Sequence, residues 1–307
     1  MKSVCFLLGI MPRSGTNFLE NKLRLHPECI APGPVWEDFI VCSLPRLNCF
    51  VRSVSHRWDQ FWFRNTDINF KQKIKSYLGQ GLTEFLLSQG ENQPDVDYLL
   101  TKTPSVAGLA HYPDFFPEAK LVIIVRDGRA LVESGRRSFD WDFVKAVYDW
   151  RINASAILAF QRQHPGKCLV VKYEDLVSDE LAVIARLCDH LNIDYERYPV
   201  DAKDIPVSGS SELKQDSSAG LHWRPVDMGS EFNPLERHSQ WGKLRKRVFA
   251  CLANTQMKDL GYATEARVTL AEKVLVGCLL LAVWPVWVVA KTAYYLLKEK
   301  KFILKTF

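Results

Sequence analysis

A chain of 307 residues with 47% hydrophobic and 24% charged positions holds enough apolar material for one large globular domain, or a domain with an appendage, and is no disordered tract. Its formal net charge of +5 suits an anionic ligand or an anionic membrane surface but is too small and too dispersed for nucleic acid, and no nucleic-acid-binding motif is present. The eight cysteines form no CxxC pair and no Cys/His ligand spacing, which argues against a structural zinc site.

Met1-Lys2-Ser3 leads directly into the short apolar run Val4 to Leu8, too brief for a signal-peptide core or a membrane span. The run predicts a first buried strand, Val4–Gly9, in a cytoplasmic protein with free thiols. Further strands are predicted at Tyr98–Thr101, Leu121–Val125 and Leu169–Val171. Each strand precedes a helix-like segment: Gly15–Leu25, Ser105–His111, Gly128–Ser138 and Ser178–Leu191. Apolar positions at three- and four-residue spacing predict a longer helix over Asp142–Gln163. The aromatic-rich insertion Val35–Gln93 reads as helical, the Ser-, Pro-, Gly- and Asp-rich stretch Pro199–Glu236 as a long functional loop, and Gln240–Leu260 as the last helix of the domain. This alternation predicts an α/β fold, with a P-loop-like central parallel β-sheet flanked by helices and a C-terminal hydrophobic helix. The expected division is a catalytic domain over 1–265 and a tail over 266–307.

Gly9-Ile-Met-Pro-Arg-Ser-Gly-Thr-Asn17 follows a predicted strand and opens a predicted helix. That setting turns backbone N–H groups and the positive end of a helix dipole toward an anion. Arg13 adds a charge, while Ser14, Thr16 and Asn17 add side-chain donors. A nucleotide kinase or NTPase would carry GxxxxGK[ST]; here Thr16 follows Gly15 directly, and Ser14 stands where that pattern has its second Gly. Val122–Asp127 has the look of a magnesium-holding strand end, but Arg126 at its tip would repel the metal.

Taken together, Pro12-Arg-Ser-Gly-Thr-Asn17, His26-Pro27, Lys102-Thr-Pro104 and Val125-Arg-Asp-Gly-Arg129 with Ser134 resemble, in the same order, the motifs of sulfotransferases that use 3′-phosphoadenosine-5′-phosphosulfate (PAPS). The similarity spans about residues 4 to 262 and is strongest to the branch that holds tyrosylprotein sulfotransferases and many bacterial members. The resemblance implies that Arg13, Ser14, Gly15, Thr16 and Asn17 hold the 5′-phosphosulfate. It gives Arg126 and Ser134 the grip on the 3′-phosphate, and Ser210 and Ser211 the cover over the cofactor. The chemistry agrees, since a phosphate is suited to a guanidinium fork and a hydroxyl donor.

Sulfuryl transfer requires in-line placement of acceptor, sulfur and leaving oxygen, a base for the acceptor proton, and cations for the leaving phosphate. No metal is required if Arg13 and Lys102, the latter resembling the family's second catalytic cation, supply the charge. Glu37 is the favoured base and Asp38 the second, although this acidic pair comes later after His-Pro than the Glu of the tyrosylprotein enzymes. Both acids also suit the first turn of a helix, and His56 and His111 are rival bases. Arg57–Phe63, where aromatics alternate with polar groups, fits either the lining of an acceptor site or core packing. The acceptor is a hydroxyl compound: lipid-linked, carbohydrate or a small alcohol. Two other readings stand beside this one, a P-loop kinase or NTPase and a non-catalytic nucleotide-binding scaffold.

Val274–Ala290 carries no charge, and Lys298, Lys300, Lys301 and Lys305 follow it. Pro285 within the run and the basic end predict a helix lying on the cytoplasmic face of a membrane, peripheral or monotopic, rather than a tail that crosses it. A homodimer formed through the same helix is the rival reading.

Overall fold

The computed structural model describes residues 3–31, 37–61, 70–90, 96–201, 207–208, 225–226, 235, 238–264 and 267–278. Strands β1 (Ser3–Gly9), β2 (Cys29–Ile30), β3 (Tyr98–Thr103), β4 (Lys120–Val125) and β5 (Leu169–Lys172) form a parallel sheet in the order β2-β3-β1-β4-β5. The helices are α1 (Thr16–Leu23), α2 (Ile40–Phe61), α3 (Phe70–Ser88), α4 (Tyr112–Phe115), α5 (Gly128–Phe139), α6 (Phe143–Gln163), α7 (Tyr173–Ser178), α8 (Glu180–Leu191) and α9 (Lys243–Asp259). Neighbouring side chains of a strand point to opposite faces. Phe6, Leu8, Ile123 and Val125 therefore meet Trp150 of α6 and Phe249 of α9. Leu7, Leu100, Val122 and Ile124 meet Leu19 of α1 and Ile184 and Leu187 of α8. Because both faces are covered, the strands read as nearly continuous apolar runs.

The strand order fixes the place of function. After β1 the chain runs through β2 and β3 on one side of it and then crosses to β4 and β5 on the other. The carboxyl end of β1 is thus the point where the order reverses, which is where open α/β sheets bind ligands. In register, Leu8 of β1 lies beside Thr103 of β3, and Gly9 beside Ile124 of β4. The residues that follow these three strands accordingly share one edge.

Several expected elements differ in detail. The helix expected over Ser105–His111 is a turn that ends in a 3-10 segment, Leu109–His111, and then α4. Gly108 adopts a positive φ of 80° and Pro113 sits in the first turn of α4, which separates the pieces. The helix expected over Ser178–Leu191 is α7 and α8, parted at Asp179. Its side chain accepts from Ala182 N–H and caps α8. β2 was not foreseen. Within the long loop, the described pairs Val207–Ser208 (β6) and Pro225–Val226 (β7) make a small antiparallel ladder.

Of the expected hydrophobic tail, residues 270–278 are helical and tied back to α9 by Arg247 Nε, which donates to Glu272 Oε1 at 2.8 Å. The remainder, 279–307, lies outside the described residues. Among the described residues no helix is long and apolar enough to cross a membrane.

Candidate active site

The loop between β1 and α1 is shaped by close approach. A Cβ on Gly9 would stand 2.3 Å from Ser14 Oγ and 2.8 Å from Thr16 Cγ2, so the absent side chain lets the loop fold over the strand end. Arg13 takes a left-handed φ of 75° and Gly15 one of 102°; the turn is closed by Ser14 N–H donating to Met11 O at 3.2 Å. A left-handed non-glycine residue costs roughly 1–3 kcal/mol and points to a role for the conformation. Here the carbonyl of Arg13 is held by Arg126, whose Nη1 donates to it at 2.8 Å. α1 then starts with no acidic residue in its first turn and with leading N–H groups that have no intrahelical carbonyl. Ser14 is fully buried, and its Oγ has no hydrogen-bond partner among the described residues. A loop of this shape, with that buried hydroxyl, fits an anionic oxygen ligand.

Gly15 gives the first prediction. Gly15→Ala would place a methyl 2.4 Å from Tyr173 Cδ2 at a φ that L-residues avoid. The expected loss is about 2 kcal/mol or more of folding stability, read from denaturant unfolding.

Arg126, at the end of β4, is 5% exposed. Its guanidinium carbon lies 4.4 Å from the Tyr173 ring centroid, and its carbonyl accepts from Trp150 Nε1 at 3.2 Å. Burial pulls its pKa down, against the influence of Tyr173, Glu174 and Asp127. Glu174 braces this turn: Asp127 N–H donates to Oε1 at 2.8 Å and Tyr262 OH to Oε2 at 3.0 Å. Arg13 Nε donates to Ser134 Oγ at 3.4 Å. One turn further along α5, Ser138 is also buried, and its Oγ has no partner among the described residues. The loop after β1, the cation after β4 and the hydroxyl on α5 therefore meet through Arg13.

On the other flank, Lys102 near the end of β3 is 2% exposed, and its Nζ donates to Glu20 Oε2 of α1. Asp38 lies beside the part of β3 that β2 leaves unpaired, and its N–H donates to Lys102 O at 3.1 Å. This sets half-buried Glu37 near Lys102. Burial pushes the Glu37 carboxyl above its ordinary value, Lys102 opposes the shift, and Asp38 and Glu20 add to it. Asp38 is otherwise engaged: Oδ2 accepts from Thr101 Oγ1 at 2.7 Å and Oδ1 from Ile40 N–H at 2.6 Å. His56 is exposed on α2, and His111 closes the 3-10 segment. His26 is tied structurally, with Nδ1 accepting from Glu28 N–H and Nε2 bonded to Asp194 O. Ser210 and Ser211 lie outside the described residues, as do residues 62–63 of the aromatic segment; Trp58 of that segment packs on Phe70. Glu20, Ser138, Tyr173 and Glu174 were not singled out from sequence. A Tyr-Glu pair directly after the last long strand was the available signal for the last two.

A cleft of about 450 Å³ adjoins the loop. Met11 and Pro12 form one wall, Pro104 another, and Phe139, Trp141 and Lys145 of the α5–α6 corner a third. Phe139 also underlies the Arg13 guanidinium, 5.7 Å from ring centroid to Cζ.

Residues 5–197 match the model of the sulfotransferase family. Protein-tyrosine sulfotransferase A of Caenorhabditis elegans is 30% identical over 200 residues, which cover 62% of this chain and 50% of that protein. Protein-tyrosine sulfotransferase 1 of Danio rerio is 27% identical over 281 residues, 84% of this chain and 72% of that protein. The chain thus spans about half the length of the nematode relative. Among solved structures, the sulfotransferase domain from the curacin biosynthetic pathway superposes with a TM-score of 0.51 at 18% identity, covering 86% of this chain and 99% of that one. The sulfotransferase domain of the Synechococcus PCC 7002 olefin synthase gives 0.51 at 20% identity, covering 86% and 98%. A match to the family model across more than half the chain, with the same fold beneath it, makes this protein a member of the sulfotransferase family.

Proposed function

We propose that the chain transfers a sulfuryl group from PAPS to a hydroxyl of an acceptor, by in-line displacement without a metal ion. The observation that carries this reading is the meeting of Arg13, Arg126 and Ser134 around a phosphate-binding turn at the strand-order reversal. When bound, PAPS supplies an activated sulfuryl group on a phosphate that can depart. The chain's own residues do the rest. The start of α1, with Ser14, Thr16 and Asn17, binds the 5′ end, and Arg126 with Ser134 takes the 3′-phosphate. Arg13 and Lys102 oppose the charge that grows on the departing oxygen. Glu37 accepts the acceptor's proton. It is preferred to Asp38 because Thr101 and the N–H of Ile40 already occupy both Asp38 oxygens.

A base works ionised, and burial raises the Glu37 pKa. Turnover is therefore expected to fall on acidification while the pH is still above the usual carboxylate range. Glu37→Gln should remove that acid limb and lower kcat by about 10²–10⁴-fold, the span of general-base contributions. A pH profile of kcat for the two proteins checks both points.

The cleft beside Phe139 and Trp141 is the proposed entry for the acceptor, and its aromatic walls suit a partly apolar molecule. The uncharged stretch 274–290 and the lysines after it support a membrane-surface helix that brings a lipid-linked acceptor within reach. Truncation after residue 267 is expected to move the protein from pellet to supernatant; no change ends that part of the proposal. The transfer itself is tested with radiolabelled PAPS offered to a membrane lipid extract and to a soluble metabolite extract. A labelled product from one of them, formed far more slowly with Glu37→Gln, is expected. No labelled product from either contradicts the reading.

A further inference from the structure

Glu20 stands at an unexpected place for a carboxylate. It lies one turn after Thr16 on α1, on the floor of a loop shaped for an anion, and is 5% exposed. A buried negative charge there repels a phosphate unless a cation answers it. The cation is Lys102 from β3, whose ammonium donates to Glu20 Oε2. The pair is not needed for burial alone, since a buried ion pair stabilises a fold no better than apolar residues of the same volume. What it provides is placement. Lysine is a flexible four-carbon stem, and a bond to a fixed carboxylate sets the direction of its head. The groups facing Glu20 are Lys102 across from α1, Arg24 on its own helix, and Glu37 from the segment beside β3. Burial raises the Glu20 carboxyl and the two cations oppose that shift, Lys102 the more.

We propose that Glu20 is a positioning residue for sulfuryl transfer, acting through Lys102: its buried carboxylate aims the ammonium and answers its charge. The inference rests on the role given to Lys102 above. If it holds, Glu20 matters only while Lys102 is present.

The test uses the full chain as wild type, Glu20→Gln, Glu20→Asp, Lys102→Ala and the double variant Glu20→Gln/Lys102→Ala. Release of sulfate from radiolabelled PAPS with water as acceptor is followed in single turnovers, and binding of 3′,5′-adenosine diphosphate is measured by calorimetry. Glu20→Gln is expected to slow release by about 10- to 100-fold, the scale of a misplaced catalytic group. Nucleotide affinity should stay within about threefold of wild type, and Glu20→Asp should recover most of the rate, since neither effect is on binding. The double variant should be no slower than Lys102→Ala alone, because the two residues act as a unit. Unchanged release in Glu20→Gln, or losses that multiply in the double variant, overturn the proposal while leaving the transfer reading intact. Glu20→Gln and the double variant are compared by thermal unfolding, and the double variant, which leaves no unpaired charge, keeps the cycle readable. A wild-type chain that binds the nucleotide but neither releases sulfate above buffer nor labels a product in either extract sinks the transfer reading, and this inference with it.

Discussion

Arg126→Ala is expected to weaken binding of 3′,5′-adenosine diphosphate by about a hundredfold or more. A charge-assisted hydrogen bond contributes about 1.5–3 kcal/mol, and each 1.4 kcal/mol is tenfold in affinity. Arg126 also holds the carbonyl of Arg13, so its loss removes the bond that supports a left-handed residue in the turn after β1. The two effects add in the same direction. Arg126→Lys separates them, since lysine keeps the charge but not the planar fork; an intermediate affinity is expected. Calorimetry gives the affinities, and thermal unfolding shows whether the empty space beside Tyr173 has destabilised the fold. Equal affinity in wild type and Arg126→Ala removes Arg126 from the nucleotide site.

Lys102→Ala is expected to act on the rate instead. Removing one preorganised group that opposes charge growing in the transition state costs about 10²–10³ in kcat, while affinity for 3′,5′-adenosine diphosphate changes far less. Stability changes too, with a defined sign. Glu20 is left buried without its cation, and burial already raises its pKa. A carboxyl with a raised folded pKa supports the fold when protonated and loses that contribution as pH rises through the folded value. Lys102→Ala should therefore melt close to wild type in acid and fall behind it as the pH climbs past the ordinary carboxylate range. A melting difference that grows toward acid contradicts the assigned pair.

Much of this architecture was legible in the chain because a parallel sheet covered on both faces writes its strands as apolar runs. Val4–Gly9, Leu121–Val125 and Leu169–Val171 stand within a residue of β1, β4 and β5, and Tyr98–Thr101 falls two short of β3. The apolar run stops at Thr101 because Lys102 and Thr103 are polar, yet both are buried: Lys102 faces Glu20, and Thr103 accepts from Phe39 N–H at 3.1 Å. β2 spans two residues, too few for any periodicity to register. Arg13, Arg126 and Ser134 stood out as candidates because their motifs sit at strand ends in fixed order, and the structure brings them together. Glu20 was missed because its meaning lies in a partner 82 residues away, and a lone Glu in a helix carries no local sign of that contact. The choice between Glu37 and Asp38 was open for a related reason. Adjacent acids look alike until the alternation along β3 turns Thr101 toward Asp38 and Lys102 toward Glu20.

On the proposed function, one edge of the sheet, between β3 and β4, receives an adenosine carrying phosphates at its 3′ and 5′ positions. Calorimetry with 3′,5′-adenosine diphosphate and with ATP, each with and without magnesium, tests it most directly. Tight binding of the first, indifferent to magnesium, and weak binding of the second are expected. Tight, magnesium-dependent binding of ATP with little affinity for the bisphosphate contradicts it.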